Sequence, residues 1–261
     1  MVIPCIDMKI ILIGAGNLAT QLAVALQKKG MTPAYIYSRT RESAEQLSER
    51  LRDVPYSTDI SRVPTDGDLY IFAVKDSALL DLVSRMPSNR GLWVHTAGSM
   101  DMEVFAPYTA RYGVFYPMQT FSKERETDFD DIPIFVETNH TDDTERLQKL
   151  AGRLSTKVYE ATSEQRKYLH LAAVFACNFS NHLYALCDRI LSEHGLPFET
   201  MLPLIRETAA KVADMPPAQA QTGPAIRYDK NVIDKQMALL SDPTMRQIYD
   251  LMSRSIHETN K

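Results

Sequence analysis

The chain has few cysteines, no long apolar run and no surplus of positive charge, and each shortage removes a class of protein. Its three cysteines, Cys5, Cys177 and Cys187, are an odd number with no C-x-x-C spacing, and two of them lie ten residues apart in one helical stretch. Neither a disulfide framework nor a thiolate metal site follows from that pattern, and no metal is expected. No uninterrupted apolar run reaches the roughly 20 residues of a membrane span. The opening MVIPCID has no basic segment ahead of a hydrophobic one, so the expectation is no membrane partner and the reducing cytoplasm. Twenty-nine Lys plus Arg against 33 Asp plus Glu give a net charge of -4. No global positive field exists to hold a nucleic acid. What remains, 261 residues at 44% hydrophobic and 24% charged, is ordinary globular composition, enough for one large domain or two modest ones.

Residues 9–13 read KIILI, the β-branched and aliphatic run of a strand buried on both faces. The strand begins essentially at Met8, which makes Met8 an alternative start to Met1. A glycine turn follows, and then Leu22, Ala23, Ala25 and Leu26 recur at helical spacing until Lys28-Lys29-Gly30, a basic last turn with a glycine stop. Residues 34–37 form a second short strand, and 41–52 an amphipathic helix with Ala44, Leu47 and Leu51 on its buried stripe. Residues 69–74 and 92–96 repeat the buried-strand signal on either side of a helix over 77–86. Further strands are expected at 113–116 and 134–137, with an irregular acidic loop, 123–131, between them. Strands alternating with helices at this spacing imply a parallel sheet with right-handed crossovers.

Beyond residue 160 the pattern changes. From 163 to about 194 there is no turn residue, which predicts one long helix, apolar on more than one face over 169–191. Such a helix must be covered, by neighbouring helices or by a second subunit. Helices over about 198–213, 230–240 and 242–257 follow, the last with Asp242 as N-cap and Pro243 at its first position. The predicted organisation is an α/β domain over 1–160 and an all-α domain over 161–261 built on one long helix.

The glycine turn carries the chemistry. Gly14-Ala15-Gly16-Asn17-Leu18-Ala19 sits directly after a buried strand and opens a helix, the context in which G-x-G-x-x-A cradles a dinucleotide. Gly14 permits the tight turn, Gly16 lets a pyrophosphate approach the backbone, and Ala19 lets the helix pack close to the sheet. Free N–H groups at the helix start face the phosphates. The second strand ends in Tyr37-Ser38-Arg39-Thr40 with no acid before Glu42. An acid there would bind a ribose 2′-hydroxyl, whereas Arg39 with Ser38 and Thr40 suits a 2′-phosphate, so the predicted cofactor is NADP(H). The plainer alternative makes Arg39 a solvated turn residue and Ser38 or Thr40 a helix cap.

Other strand ends supply Val74-Lys75-Asp76, His95-Thr96-Ala97-Gly98-Ser99 and Tyr116-Pro117-Met118-Gln119-Thr120, facing the same crevice. Val74, Lys75, Ala97 and Gly98 are cofactor candidates, with the glycine bringing backbone close to a flat nicotinamide. His95, Tyr116 and Gln119 are substrate candidates, although His95 equally reads as a satisfied core histidine and Asp76 as a helix cap. On the long helix His170, Asn178 and Asn181 fall within about 80° of arc at 100° per residue. At a rise of 1.5 Å per residue, about 12 Å and 16 Å separate His170 from the two asparagines, so all three cannot touch one atom. Either His170 or the Asn178, Asn181, His182 cluster meets the substrate, or they flank a long ligand, and the plainer alternative has the asparagines bonding neighbouring helices.

These residues resemble the two-domain, Rossmann-like NADP oxidoreductases with a helical C-terminal domain of unknown function, a group related to pyrroline-5-carboxylate reductase and to the deazaflavin-dependent NADP reductases. The matching stretches are the glycine turn, His95 to Ser99, Tyr116 to Phe121, His170 to Phe179, and Thr222-Gly223-Pro224-Ala225-Ile226-Arg227-Tyr228-Asp229. The resemblance implies hydride transfer from NADPH to a C=N or C=O carbon of a small, carboxylate-bearing substrate bound between the domains. In that reading His170 donates the proton, Asn178 and Asn181 orient the substrate, and Thr222 with Arg227 clamps its carboxylate. An ion pair of Arg227 with Asp229 is the structural alternative. Two departures stand out. Tyr116 occupies a position where the group carries histidine, and the Lys/Asn pair of related hydroxyacid dehydrogenases is absent, Val174 standing four residues after His170. The rival readings are hydride exchange with a deazaflavin and a non-catalytic NADP(H) sensor. A homodimer through the C-terminal helices is expected.

Overall fold

The computed structural model describes residues 8–260. Cys5 and the choice between Met1 and Met8 as start lie outside the described residues. The first unit runs β1 (Ile10–Ile13), α1 (Asn17–Lys28), β2 (Tyr35–Tyr37), α2 (Arg41–Arg50), β3 (Tyr56–Ser57), β4 (Leu69–Phe72), α3 (Asp76–Arg85), β5 (Leu92–His95), β6 (Tyr112–Pro117), β7 (Ile134–Thr138), α4 (Thr141–Leu154), β8 (Val158–Glu160) and α5 (Ser163–Ala173). The strands form one sheet in the order β3-β2-β1-β4-β5-β6-β7-β8. Strand order reverses beside β1, the switch point at which open α/β sheets bind ligands.

Alternation along β1 explains its place at the centre. Ile10 and Leu12 enter a core with Leu22 and Leu26 of α1, whereas Ile11 and Ile13 enter a second core with Phe72, Trp93 and Phe105. A strand with both faces buried needs this unbroken aliphatic run. The expected parallel sheet holds from β3 to β6, but β7 pairs antiparallel with β6, and β8 then runs parallel to β7. The reason is the connection: parallel neighbours require a crossover, and residues 118–133 between β6 and β7 contain no helix.

The chain divides into two compact units after Cys177. The first extends past the expected boundary at 160 because α5 belongs to it, held by the fully buried Arg166. The helical run expected over 163–194 is not uniform. Between α5 and α6 (Ser180–Glu193) lies a six-residue π-helical segment, Val174–Phe179. Its wider i→i+5 turn invalidates the 100° count that put His170, Asn178 and Asn181 on one face.

The second unit, from Asn178, contains α6, α7 (Leu202–Asp214), α8 (Pro217–Ala220), α9 (Lys230–Ala238) and α10 (Pro243–Thr259). Asp242 caps α10 as expected, accepting from the N–H groups of Thr244 and Met245, and also pairs with Arg189 at 2.5 Å. Among the described residues of this unit only Ile233, Met245 and Ser253 are buried, while Leu204, Leu239 and Leu251 are exposed by 59%, 80% and 61%. Among the described residues no helix is long and apolar enough to cross a membrane.

Candidate active site

The glycine turn ends β1 in a conformation only glycine adopts without strain. Gly14 has φ +126°, and a Cβ there would stand 2.2 Å from the Ala73 carbonyl oxygen at the end of β4. Its N–H donates to the Tyr37 carbonyl at 2.7 Å, which ties the turn to β2. Gly16 differs: it N-caps α1 in extended backbone, with nothing within 4 Å of where its Cβ would be. Ala19 is fully buried and Ala15 nearly so, while Leu18 packs partly against the core. The Asn17 side chain is already engaged, donating to the Phe121 carbonyl at 3.0 Å, so at that residue the backbone N–H is the group left for a phosphate. The open face over Gly16 and the start of a twelve-residue helix fit a dinucleotide's diphosphate.

At the end of β2, Ser38 is buried and Arg39 and Thr40 are exposed. Thr40 occupies the N-cap of α2 without using its hydroxyl. Arg39 makes no hydrogen bond or ion pair among the described residues, and the Glu42 carboxylate accepts from Gln46 instead. The cation and hydroxyls are thus available to a 2′-phosphate. Val74 is half-buried, and Lys75 stands exposed at the N-cap of α3 with no side-chain cap bond. Asp76 is the first residue of α3 rather than its cap, and its carboxylate accepts from the Ser99 hydroxyl across the crevice.

Behind β5 the geometry supports the core reading of His95 rather than a substrate contact. The ring is fully buried, Nδ1 accepts from the Ala97 N–H at 3.2 Å, and Nε2 lies 3.3 Å from the Asp101 carbonyl. Those two bonds need a neutral ring with its proton on Nε2. Burial first, then the Arg166 cation, push its pKa down to about 4.

His170 is different. It is exposed on α5, and its Nδ1 lies 3.2 Å from the Tyr116 hydroxyl at the end of β6. Nε2 meets no partner among the described residues. Gly98 is what lets the ring come this close, because a Cβ there would stand 2.6 Å from His170 Nδ1. The glycine expected to make room for a nicotinamide therefore makes room for the histidine. Burial raises the Tyr116 pKa, against a smaller lowering by Arg166. The phenol stays protonated at neutral pH.

Sequence reasoning missed Arg166. One helical turn before His170 and fully buried, it donates to Ala97 O at 3.2 Å, Met100 O at 2.5 Å, the Glu137 carboxylate at 2.6 Å and Ser163 Oγ at 3.1 Å. An arginine four residues before a candidate acid shares its helix face, and that spacing was the available signal.

Gln119 is exposed and accepts from its neighbour's backbone, the Thr120 N–H at 2.8 Å. Asn178, Asn181, Thr222 and Arg227 lie exposed in the second unit. There Gly223 (φ +102°) and Tyr228 (φ +49°) both take the left-handed conformation. The His257 ring packs tilted against Tyr228, and its Nδ1 lies 2.9 Å from the Ile226 carbonyl. The Asp229 carboxylate caps α9 through the Val232 N–H, so the ion pair with Arg227 does not form. Arg227 has no hydrogen bond or ion pair among the described residues.

Comparison with known proteins agrees with this architecture. Residues 3–118 match the Rossmann-like domain family, and residues 132–256 match the family described as Domain of unknown function (DUF2520). A solved structure from Bacteroides fragilis, named "putative NADP oxidoreductase", is 52% identical, with 97% of this chain and 98% of that one covered and a TM-score of 0.90. The chain belongs to that protein's family, which joins a Rossmann-like domain to the helical DUF2520 domain. A reductive aminase from Aspergillus terreus, solved with NADPH and ethyl levulinate, shares the fold at 17% identity, 97% and 95% coverage and a TM-score of 0.72. A pyrroline-5-carboxylate reductase from Coxiella burnetii does so at 15% identity, 97% coverage of each chain and a TM-score of 0.60. No curated protein sequence matches the chain.

Proposed function

We propose that this protein is an NADP(H)-dependent reductase that delivers hydride to a C=N or C=O carbon of a small, carboxylate-bearing substrate. The observation that carries the reading is the Tyr116–His170 pair, set at the carboxyl edge of the sheet whose β1 and β2 ends form the dinucleotide cradle. The 52% identical relative named an NADP oxidoreductase supports the cofactor, as does the free Arg39 guanidinium. NADPH, when bound, supplies the hydride.

The chain's own residues handle the proton. Because Tyr116 keeps its hydrogen, its O–H donates to His170 Nδ1 and leaves a ring proton on Nε2. As hydride arrives, that proton passes to the developing alkoxide or amide anion while Nδ1 takes the Tyr116 hydrogen, so the negative charge ends on the phenolate. Arg227, braced on its left-handed turn and unpaired, is suited to a carboxylate, with Thr222, Asn178 and Asn181 as further polar groups of the second unit. Val74, Lys75 and Ala97 remain cofactor-side candidates, and Gln119 a substrate-side one.

The test is binding of NADPH, NADP, NADH and NAD by calorimetry, then NADPH oxidation against a panel of oxo acids and cyclic imines. Preference for NADPH with turnover is expected, and His170→Ala should lower that turnover by roughly 10²–10⁴-fold while NADPH still binds. Preference for NADH, or full activity of His170→Ala, would overturn the cofactor and acid assignments respectively. The exposed leucines of α7, α10 and the α9 end support a homodimer through the helical unit. Light scattering at micromolar concentration should give twice the 29.5 kDa chain mass.

A further inference from the structure

We propose that Arg166 is the positioning residue of this site, holding the loop after β5 and the His170 turn of α5 as one piece so that Tyr116 fixes the tautomer of His170. The proposal rests on the proton-donor reading above. Its geometry is a clamp with contacts on three elements. The guanidinium reaches two carbonyls of the loop, Ala97 O and Met100 O, the Glu137 carboxylate on β7, and Ser163 Oγ in the first turn of its own helix. Glu137 in turn accepts from Ser163 N–H at 2.8 Å and from its hydroxyl at 2.7 Å. The charge is neutralised within the clamp, as burial of an arginine requires.

Two of the clamped groups bear on His170. Gly98 lies between the two gripped carbonyls and sits against the imidazole, where there is no space for even a methyl group. His170 itself lies one turn after Arg166 on the same face. If the loop moved outward or α5 shifted along its axis, the 3.2 Å separation between Tyr116 Oη and Nδ1 would open. The imidazole would then lose the bond that selects its tautomer. Lysine cannot replace this arginine, since a single ammonium cannot span two carbonyls and a carboxylate in the directions a planar fork does.

The experiment reads the ring, so it needs no substrate. The imidazole nitrogens of the full-length chain are ¹⁵N-labelled and the His170 signals assigned by their loss in His170→Asn. The wild type should show a single tautomer with the proton on Nε2. Arg166→Lys should relax it towards the mixture of a free imidazole, while circular dichroism shows the chain still folded. A folded Arg166→Lys chain that keeps the wild-type tautomer would reduce Arg166 to a structural role and overturn the proposal, as would a wild type with no fixed tautomer. If Arg166→Lys does not fold, Glu137→Gln, which keeps the shape and removes only the countercharge, decides on the same signal. Failure of the reductase reading appears separately, as a wild type that binds no NADPH.

Discussion

Acid should loosen this fold through one buried imidazole. His95 is neutral in the folded chain because Nδ1 accepts the Ala97 N–H, and protonation would place two hydrogens on one another in a site without water access. Its pKa falls from 6.5 to about 4, chiefly by burial and then by the Arg166 cation; the Asp101 carbonyl and the Asp76 and Asp101 charges oppose this without reversing it. The unfolded chain therefore takes up the proton at the higher pH. Above pH 6.5 neither state is charged and nothing is lost. Between 6.5 and about 4 only the unfolded state binds the proton, so stability falls by up to about 1.4 kcal/mol per pH unit. Over the window this sums to about 3 kcal/mol, a large share of the 5–15 kcal/mol typical of a domain, and below it the loss stops. Urea unfolding from pH 7 to 4 should be compared between the wild type and His95→Gln, which cannot titrate. Carboxylates contribute equally to both, so the difference isolates the histidine. The stability gap between the two should narrow by about 3 kcal/mol on acidification. Parallel curves would refute the neutral, buried assignment.

Three further outcomes follow from the site. Arg39→Ala should weaken NADPH binding by about 10–100-fold, the worth of a charge-assisted phosphate contact, and leave NADH nearly unchanged in the same calorimeter. Gly98→Ala forces a methyl to within 2.6 Å of His170 Nδ1; it should cost about 1–3 kcal/mol in urea unfolding and depress turnover more than NADPH affinity. Gly14→Ala collides with the Ala73 carbonyl at φ +126°, so it should lower the melting temperature and abolish dinucleotide binding together.

Legibility in the sequence tracked locality. The run KIILI announced a doubly buried strand because each of its four aliphatic residues lies in one of two cores. Asp242-Pro243 announced a helix start because capping involves only adjacent N–H groups. α4 was equally local, with Leu147, Leu150, Ala151 and Leu154 buried at helical spacing, and that signal was there to be read. The antiparallel β7 and the π segment are another matter. The first depends on a long connection that contains no crossover helix. The second changes the phase of a helix whose composition looks uniform throughout.

The site divides along the same line. The glycine turn was legible since its constraint is a backbone angle beside a strand, and the exposure of Arg39 since a charge at a strand end faces solvent. Gly98 was singled out as a point of close approach, but the neighbour itself was not legible in the chain: what fills its missing side chain comes from His170, far along the chain. The partners of Arg166 were hidden for the same reason, because its bonds to Ala97 and Met100 span 69 and 66 residues. An arginine in a helical stretch reads as a solvated charge unless something shows that its face is buried. The indication was its position four residues before His170, a histidine already suspected of chemistry. A face that presents an imidazole to a crevice must be anchored one turn away, and a charged residue at that spacing is a candidate anchor before it is a candidate surface group.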